Sequence, residues 1–144
     1  MDGFNDSVMM AFLPVDGSWS KLELPHMTLV YAGKISDRKI SDFNAMAKDA
    51  STLAQLGHPF SLVVMGKVQF GGNGDDEVDV FRLISTPELQ AQRAFVERWN
   101  KLEHPFRPHV TIGPVGSFVE FEPRTVMFDK IAVAWGDDQI TFNL

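Results

Sequence analysis

One phrase occurs twice in this chain, and any fold must accommodate both copies. Pro25-His26-Met27-Thr28-Leu29 lies within LELPHMTLVYAG, and Pro108-His109-Val110-Thr111-Ile112 lies within FRPHVTIGPVG. Each half of the chain also holds a helix-like segment followed by a second near-copy, GHPF at Gly57 and EHPF at Glu103. One helix and one Pro-His-x-Thr strand per half predict two pseudo-equivalent lobes. The chain has four histidines, and two of them occupy the repeated phrase.

The segments between the phrases read as short strands and two helices. SVMMAFLP is an apolar strand ended by Pro14 and the turn VDGS, and PHMTLVYAG is another, stopped at Gly33. From Ser36, a predicted N-cap, Ile40, Phe43, Ala47, Ala50 and Leu53 recur at helical spacing, and Gly57 closes the helix. PFSLVVMGKVQF and EVDVFRLIS flank GGNGDD and predict an antiparallel hairpin. A second helix starts with Thr86 as cap and Pro87 in its first turn, its inner side traced by Leu89, Gln92, Val96, Trp99 and Leu102. PHVTIG is the next strand, and TVMFDKIAVAW with QITFNL forms a last hairpin around GDD. The expected architecture is a single α+β domain over residues 1–144. Two pseudo-symmetric lobes of mostly antiparallel sheet form a central cleft, with one helix packed outside each.

Composition limits the chemistry. Apolar residues make up 44% of the chain and twelve are phenylalanine, so a real core must form. The net charge is −6, which disfavours duplex nucleic acid as a partner, because phosphate backbones require a dense basic face. The absence of cysteine removes disulfides, thiol nucleophiles and thiolate metal sites. No His, Asp or Glu spacing points to a metal, and no motif calls for a cofactor. MDGFNDSVMM has no secretory pattern and no stretch is long enough to span a bilayer, so a cytoplasmic protein without membrane contact is expected.

In a strand, residues i and i+2 share a face. His26 with Thr28, and His109 with Thr111, therefore each pair an imidazole with a hydroxyl, while Met27, Leu29, Val110 and Ile112 face inward. If the two strands lie side by side, the four groups suffice to break a phosphodiester. One neutral imidazole takes a proton from the nucleophile, and one protonated imidazole supplies the leaving oxygen. The hydroxyls hold the non-bridging oxygens as charge builds. A single His-x-Thr triplet is weak, since roughly 0.2 are expected by chance at this composition. Two copies, each after proline and before an aliphatic residue, are far more specific.

With these two signatures, the chain resembles the two-histidine (2H) phosphoesterase superfamily, which includes bacterial 2′-5′ RNA ligases and cyclic nucleotide phosphodiesterases. The resemblance covers nearly the whole chain from Val8. It implies His26, Thr28, His109 and Thr111 as the catalytic residues. The short first connection PVDGSWSKLEL and the MGKVQFGG strand end are similar to compact bacteriophage members, which destroy the cyclic oligonucleotide messengers of bacterial CBASS immunity; a phage-encoded enzyme would work in the host cytoplasm. Two basic positions depart from the family pattern. The arginine often found five residues after the second histidine is Pro114 here, and the basic residue after the first motif is Val30. Arg107, Lys34 and Lys21 are the candidates to replace them.

Tyr31 and Trp135 are candidates for stacking on a nucleobase, and with Arg107 they make the expected substrate-binding set. His58 and His104 each precede a proline at a helix end, where a cation complements the helix dipole. GGNGDDE lacks the lysine and serine of a P-loop and the spacing of an EF-hand, so a hairpin turn is expected. The leading expectation is a metal-independent phosphoric diester hydrolase acting on a small nucleotide, either a cyclic oligonucleotide, a 2′,3′-cyclic phosphate or a 2′,5′ linkage. The alternatives are an RNA end-processing or 2′-5′ ligase-like enzyme, a non-catalytic nucleotide-binding protein and a structural protein on an old fold.

Overall fold

The computed structural model describes residues 6–72, 75–103, 105–117, 119 and 122–144, with the backbone alone at 72, 75 and 76. The elements follow in the order β1 (Ser7–Pro14), β2 (Met27–Lys34), α1 (Ile40–Leu56), β3 (Phe60–Gly72), β4 (Asp75–Leu83), α2 (Pro87–Phe95), β5 (His109–Pro114), β6 (Thr125–Trp135) and β7 (Asp138–Asn143). Among the described residues, no helix is long and apolar enough to cross a membrane.

Every strand pairing is antiparallel, and the ladder runs β2-β1-β6-β3-β4-β5, with β7 on β6. β3 joins the two lobes. Its first residues, Phe60–Val63, pair with β6, and its later ones, from Val64, pair with β4. The change of partner comes with a register slip between Val64 and Gly66, and Gly66 takes a φ of 155° that side chains rarely adopt.

Helix α1 packs on β6 and β7. Its buried side is Met46, Asp49, Ala50, Leu53 and Ala54, with Phe43 packed against the core. Ser36 is not its cap. Residues 35–37 close a separate 3₁₀ turn, and the helix begins one turn later. There the Lys39 N–H donates to Asp42 Oδ2 at 3.1 Å, which satisfies a donor at the helix start. Ile40 consequently lies at the exposed first turn rather than on the inner face, and is 67% exposed.

Helix α2 begins as its sequence predicts, with the Leu89 N–H donating to Thr86 Oγ1 at 3.1 Å and Pro87 in the first turn. It is shorter than its apolar spacing implied. Val96 leaves helical geometry, a 3₁₀ turn over 97–99 carries Trp99 into the core, and Leu102 remains exposed. His58 lies exposed, with Nδ1 2.8 Å from the Pro59 carbonyl oxygen rather than at a helix carbonyl, and Nε2 3.5 Å from Glu88. The helix-end role expected for His104, and the loop residues Asn73 and Gly74, fall outside the described residues.

Candidate active site

The two repeated strands are the two ends of the ladder. β2 is one terminal strand and β5 the other, yet their Cα atoms approach within 8 Å without direct pairing. The sheet therefore bends until its edges meet. Each edge is covered by the segment leading into the opposite motif. Ser20 Oγ donates to the Thr111 carbonyl at 2.8 Å, and the Lys21 N–H donates to the Ile112 carbonyl at 2.7 Å, so the approach to β2 is bound to β5. Reciprocally, the Lys101 N–H donates to the Tyr31 carbonyl at 2.8 Å, binding the approach to β5 onto β2. These bonds satisfy edge groups that would otherwise invite another strand.

The two histidines are held in the same way. His26 Nδ1 lies 2.7 Å from the Leu24 carbonyl oxygen, and His109 Nδ1 lies 2.7 Å from that of Arg107. The proline between each pair restrains the preceding residue to an extended conformation, which fixes the accepting carbonyl. A carbonyl only accepts, so Nδ1 carries the proton and Nε2 is the basic nitrogen of each neutral ring. The Phe70 ring meets the His109 ring edge-on, with centroids 4.5 Å apart. Burial pushes the His26 imidazole below its usual pKa, outweighing the Leu24 carbonyl, which favours the charged ring.

A cavity of about 780 Å³ lies between the lobes. Thr28 and Tyr31 border it from β2, and Arg107 and His109 border it from the second motif. His26 and Thr111 are not among its lining residues. His26 is half-buried just before β2, and Thr111 is half-buried on β5. Among the described residues, the Thr28 hydroxyl has a weak partner, Met9 Sδ at 3.8 Å.

Tyr31 reaches this face through a bulge. Thr28 stands opposite Ala11 and Tyr31 opposite Met9, two residues along β1, while Leu29 is the extra residue between Thr28 and Val30. Strict alternation would have turned Tyr31 away from Thr28. Trp135 is not brought to the cavity. It packs edge-on against Phe43 of α1, centroids 5.6 Å apart, on the helix side of the sheet. Lys34, the last residue of β2, pairs instead with Asp6 at 3.6 Å. Lys21 lies against Gly113 at the end of β5.

Two arginines escaped the sequence reading. Arg82 stands opposite His109 in the β4–β5 pairing, and its Nε is buried with no hydrogen-bond partner among the described residues. Cross-strand partners share a face, so its guanidinium lies on the His109 side. A charge inside the apolar run VFRLI was the available signal. Arg93 borders the cavity from α2, one turn after Leu89 on the buried side, and its Nε is likewise buried without a partner among the described residues. Among the described residues, no three His, Asp or Glu side chains form a metal-holding group.

No protein-family model matches the chain, and no curated protein does. Solved structures do. Usb1 of Kluyveromyces marxianus matches with a TM-score of 0.67 at 11% identity, over 99% of each chain. TT0787 of Thermus thermophilus matches with a TM-score of 0.62 at 18% identity, over 96% of this chain and 97% of that one. E. coli LigT complexed with 3′-AMP matches at 0.53 and 14% identity, over 96% and 95%.

Proposed function

We propose that this chain, which has the two-histidine phosphoesterase fold, is a metal-independent phosphodiesterase that cleaves a small nucleotide by general acid–base catalysis. The observation that carries this reading is the matched pair of histidines. Two remote segments end in the same proline-braced imidazole, each with Nδ1 committed to a carbonyl, on two strand edges that meet.

His26 is the base in this mechanism. Its lowered pKa keeps the ring neutral near pH 7, so Nε2 takes the proton as the attacking hydroxyl or water adds to phosphorus. His109, protonated at the start, gives the proton on Nε2 to the departing ribose oxygen, and the two rings exchange protonation states. The hydroxyls of Thr28 and Thr111 hold the non-bridging oxygens. Arg82 supplies the cation that Pro114 does not, stabilising charge as the transition state forms.

The substrate class is supported by size and by likeness. The cavity falls in the upper part of the roughly 300–1,000 Å³ range of small-molecule sites. LigT has been solved with 3′-AMP and Usb1 with uridine monophosphate. The acidic chain favours a small nucleotide over a long polymer, and among small nucleotides we favour a cyclic oligonucleotide messenger, the substrate type of the phage members it resembles.

The test is a chromatographic screen in EDTA with 2′,3′-cyclic mononucleotides, 2′,5′-linked dinucleotides, cyclic dinucleotides and cyclic trinucleotides. His26→Ala and His109→Ala serve as controls. Cleavage in EDTA that both variants abolish supports the mechanism. Binding without product at any enzyme concentration would make the chain a nucleotide-sequestering protein instead, and joining of RNA ends would make it ligase-like.

A further inference from the structure

We propose that Arg93 builds a second anion subsite in the cavity, so that the ligand carries at least one phosphate besides the one that reacts. This rests on the phosphodiesterase reading and narrows its substrate to nucleotides with two or more phosphates.

Arg93 is an unusual residue to find bordering an open cavity, because its side chain is only 9% exposed. Burying a guanidinium is unfavourable unless its donors and its charge are matched. Here they are matched in part. Nη1 pairs with Glu97, one turn on, but that carboxylate is 61% exposed and therefore well solvated. Nε has no acceptor among the described residues. The guanidinium carbon lies 5.2 Å from the Phe106 ring centroid, over a ring that attracts the cation without supplying an acceptor. Burial also favours the neutral form of Arg93. An incoming phosphate relieves the unmatched donor and the buried charge together, through the paired contacts that a planar guanidinium makes with phosphate oxygens.

The same cavity is bordered by Thr28 and His109, so a ligand reacting there can extend to Arg93 within one space. A cyclic mononucleotide has nothing anionic to place at the second position. A dinucleotide or larger oligonucleotide, linear or cyclic, does.

Calorimetry on the full chain tests this with adenosine 3′-monophosphate, a 5′-phosphorylated linear di-adenylate and 3′,3′-cyclic di-adenylate. At least one two-phosphate ligand should bind about tenfold or more tighter than the monophosphate, as a charged hydrogen bond to phosphate implies. Arg93→Met should erase that ratio, and Arg93→Lys should restore part of it. Glu97→Gln changes an exposed residue and so tests the idea even if Arg93 variants fold poorly. By removing the competing carboxylate, it should raise the ratio. No preference in the wild type, a preference that survives Arg93→Met, or a ratio unmoved in Glu97→Gln overturns the proposal. Product formation anywhere in the nucleotide screen in EDTA reports on the reaction alone. Turnover without the affinity ratio keeps the enzyme and discards the subsite, and the ratio without turnover does the reverse. A gain confined to the cyclic ligand identifies it, rather than a linear strand, as the source of the second phosphate.

Discussion

Arg82 stands directly across from His109 in the antiparallel pairing of β4 with β5, with Gly66 on its other side in β3. Gly66 has no side chain, and a Cβ added there would meet nothing within 4 Å, so that neighbour leaves Arg82 unobstructed on the β3 side. Its Nε is buried without an acceptor among the described residues, across the strand pair from the imidazole proposed as the acid, which suits it to an anion.

Arg82→Met should therefore lower kcat about a hundredfold while changing KM only a few-fold, the pattern of a contact strengthened in the transition state. Arg82→Lys should recover part of the rate. Steady-state kinetics with circular dichroism on each variant decide it. A KM effect alone would make Arg82 a ground-state binding residue.

The His26 ring should titrate below the ordinary imidazole value of about 6.5. The acid limb of kcat/KM should therefore lie below that pH. The stability consequence has a definite sign. Between the lowered folded pKa and the ordinary unfolded one, the unfolded chain binds more protons, so stability rises with pH through that window and is flat above it for this group. An NMR titration of the ring that gives a pKa at or above 6.5 would contradict both statements.

Tyr31 and Trp135 should separate cleanly. Tyr31→Ala should raise KM about tenfold with little loss of stability, as expected for one base-stacking platform. Trp135→Ala should leave KM unchanged and destabilise the fold by about 2–3 kcal/mol, because the half-buried ring packs on Phe43. Urea melts and Michaelis profiles of both variants make the comparison.

Asp49 is the polar anchor of the second motif's approach. Its Oδ2 accepts from Trp99 Nε1 at 2.9 Å and from Arg98 Nη2 at 2.7 Å. Asp49→Ala leaves the indole N–H buried without an acceptor and should cost about 2 kcal/mol, a fall in Tm of about 6 °C. Asp49→Asn keeps an acceptor and should lose less. Equal losses in a thermal melt would show that the carboxylate's charge, rather than the indole bond, carries the effect.

Much of this was legible in the sequence because it is local. Strand alternation, the Thr86–Pro87 helix start and the turn-flanked hairpins depend on neighbours a few residues away. The doubled Pro-His-x-Thr phrase was legible for the same reason, since the proline brace and the i, i+2 pairing of imidazole with hydroxyl are built within five residues. The start of α1 was misread because Asp42, three residues past Lys39, outcompeted Ser36 for the first free amide.

The amino-acid order by itself determined the element order and the inward turn of Met27, Leu29, Val110 and Ile112 around the doubled phrase. Tertiary structure alone decided which side Tyr31 faces, because one unpaired residue, Leu29, reverses strand parity beyond it. It also decided that Trp135 belongs to the helix layer, that Arg82 stands opposite His109 and that Arg93 borders the cavity. Those outcomes depend on register between strands far apart in the chain, and no short-range preference encodes which residues will stand opposite one another.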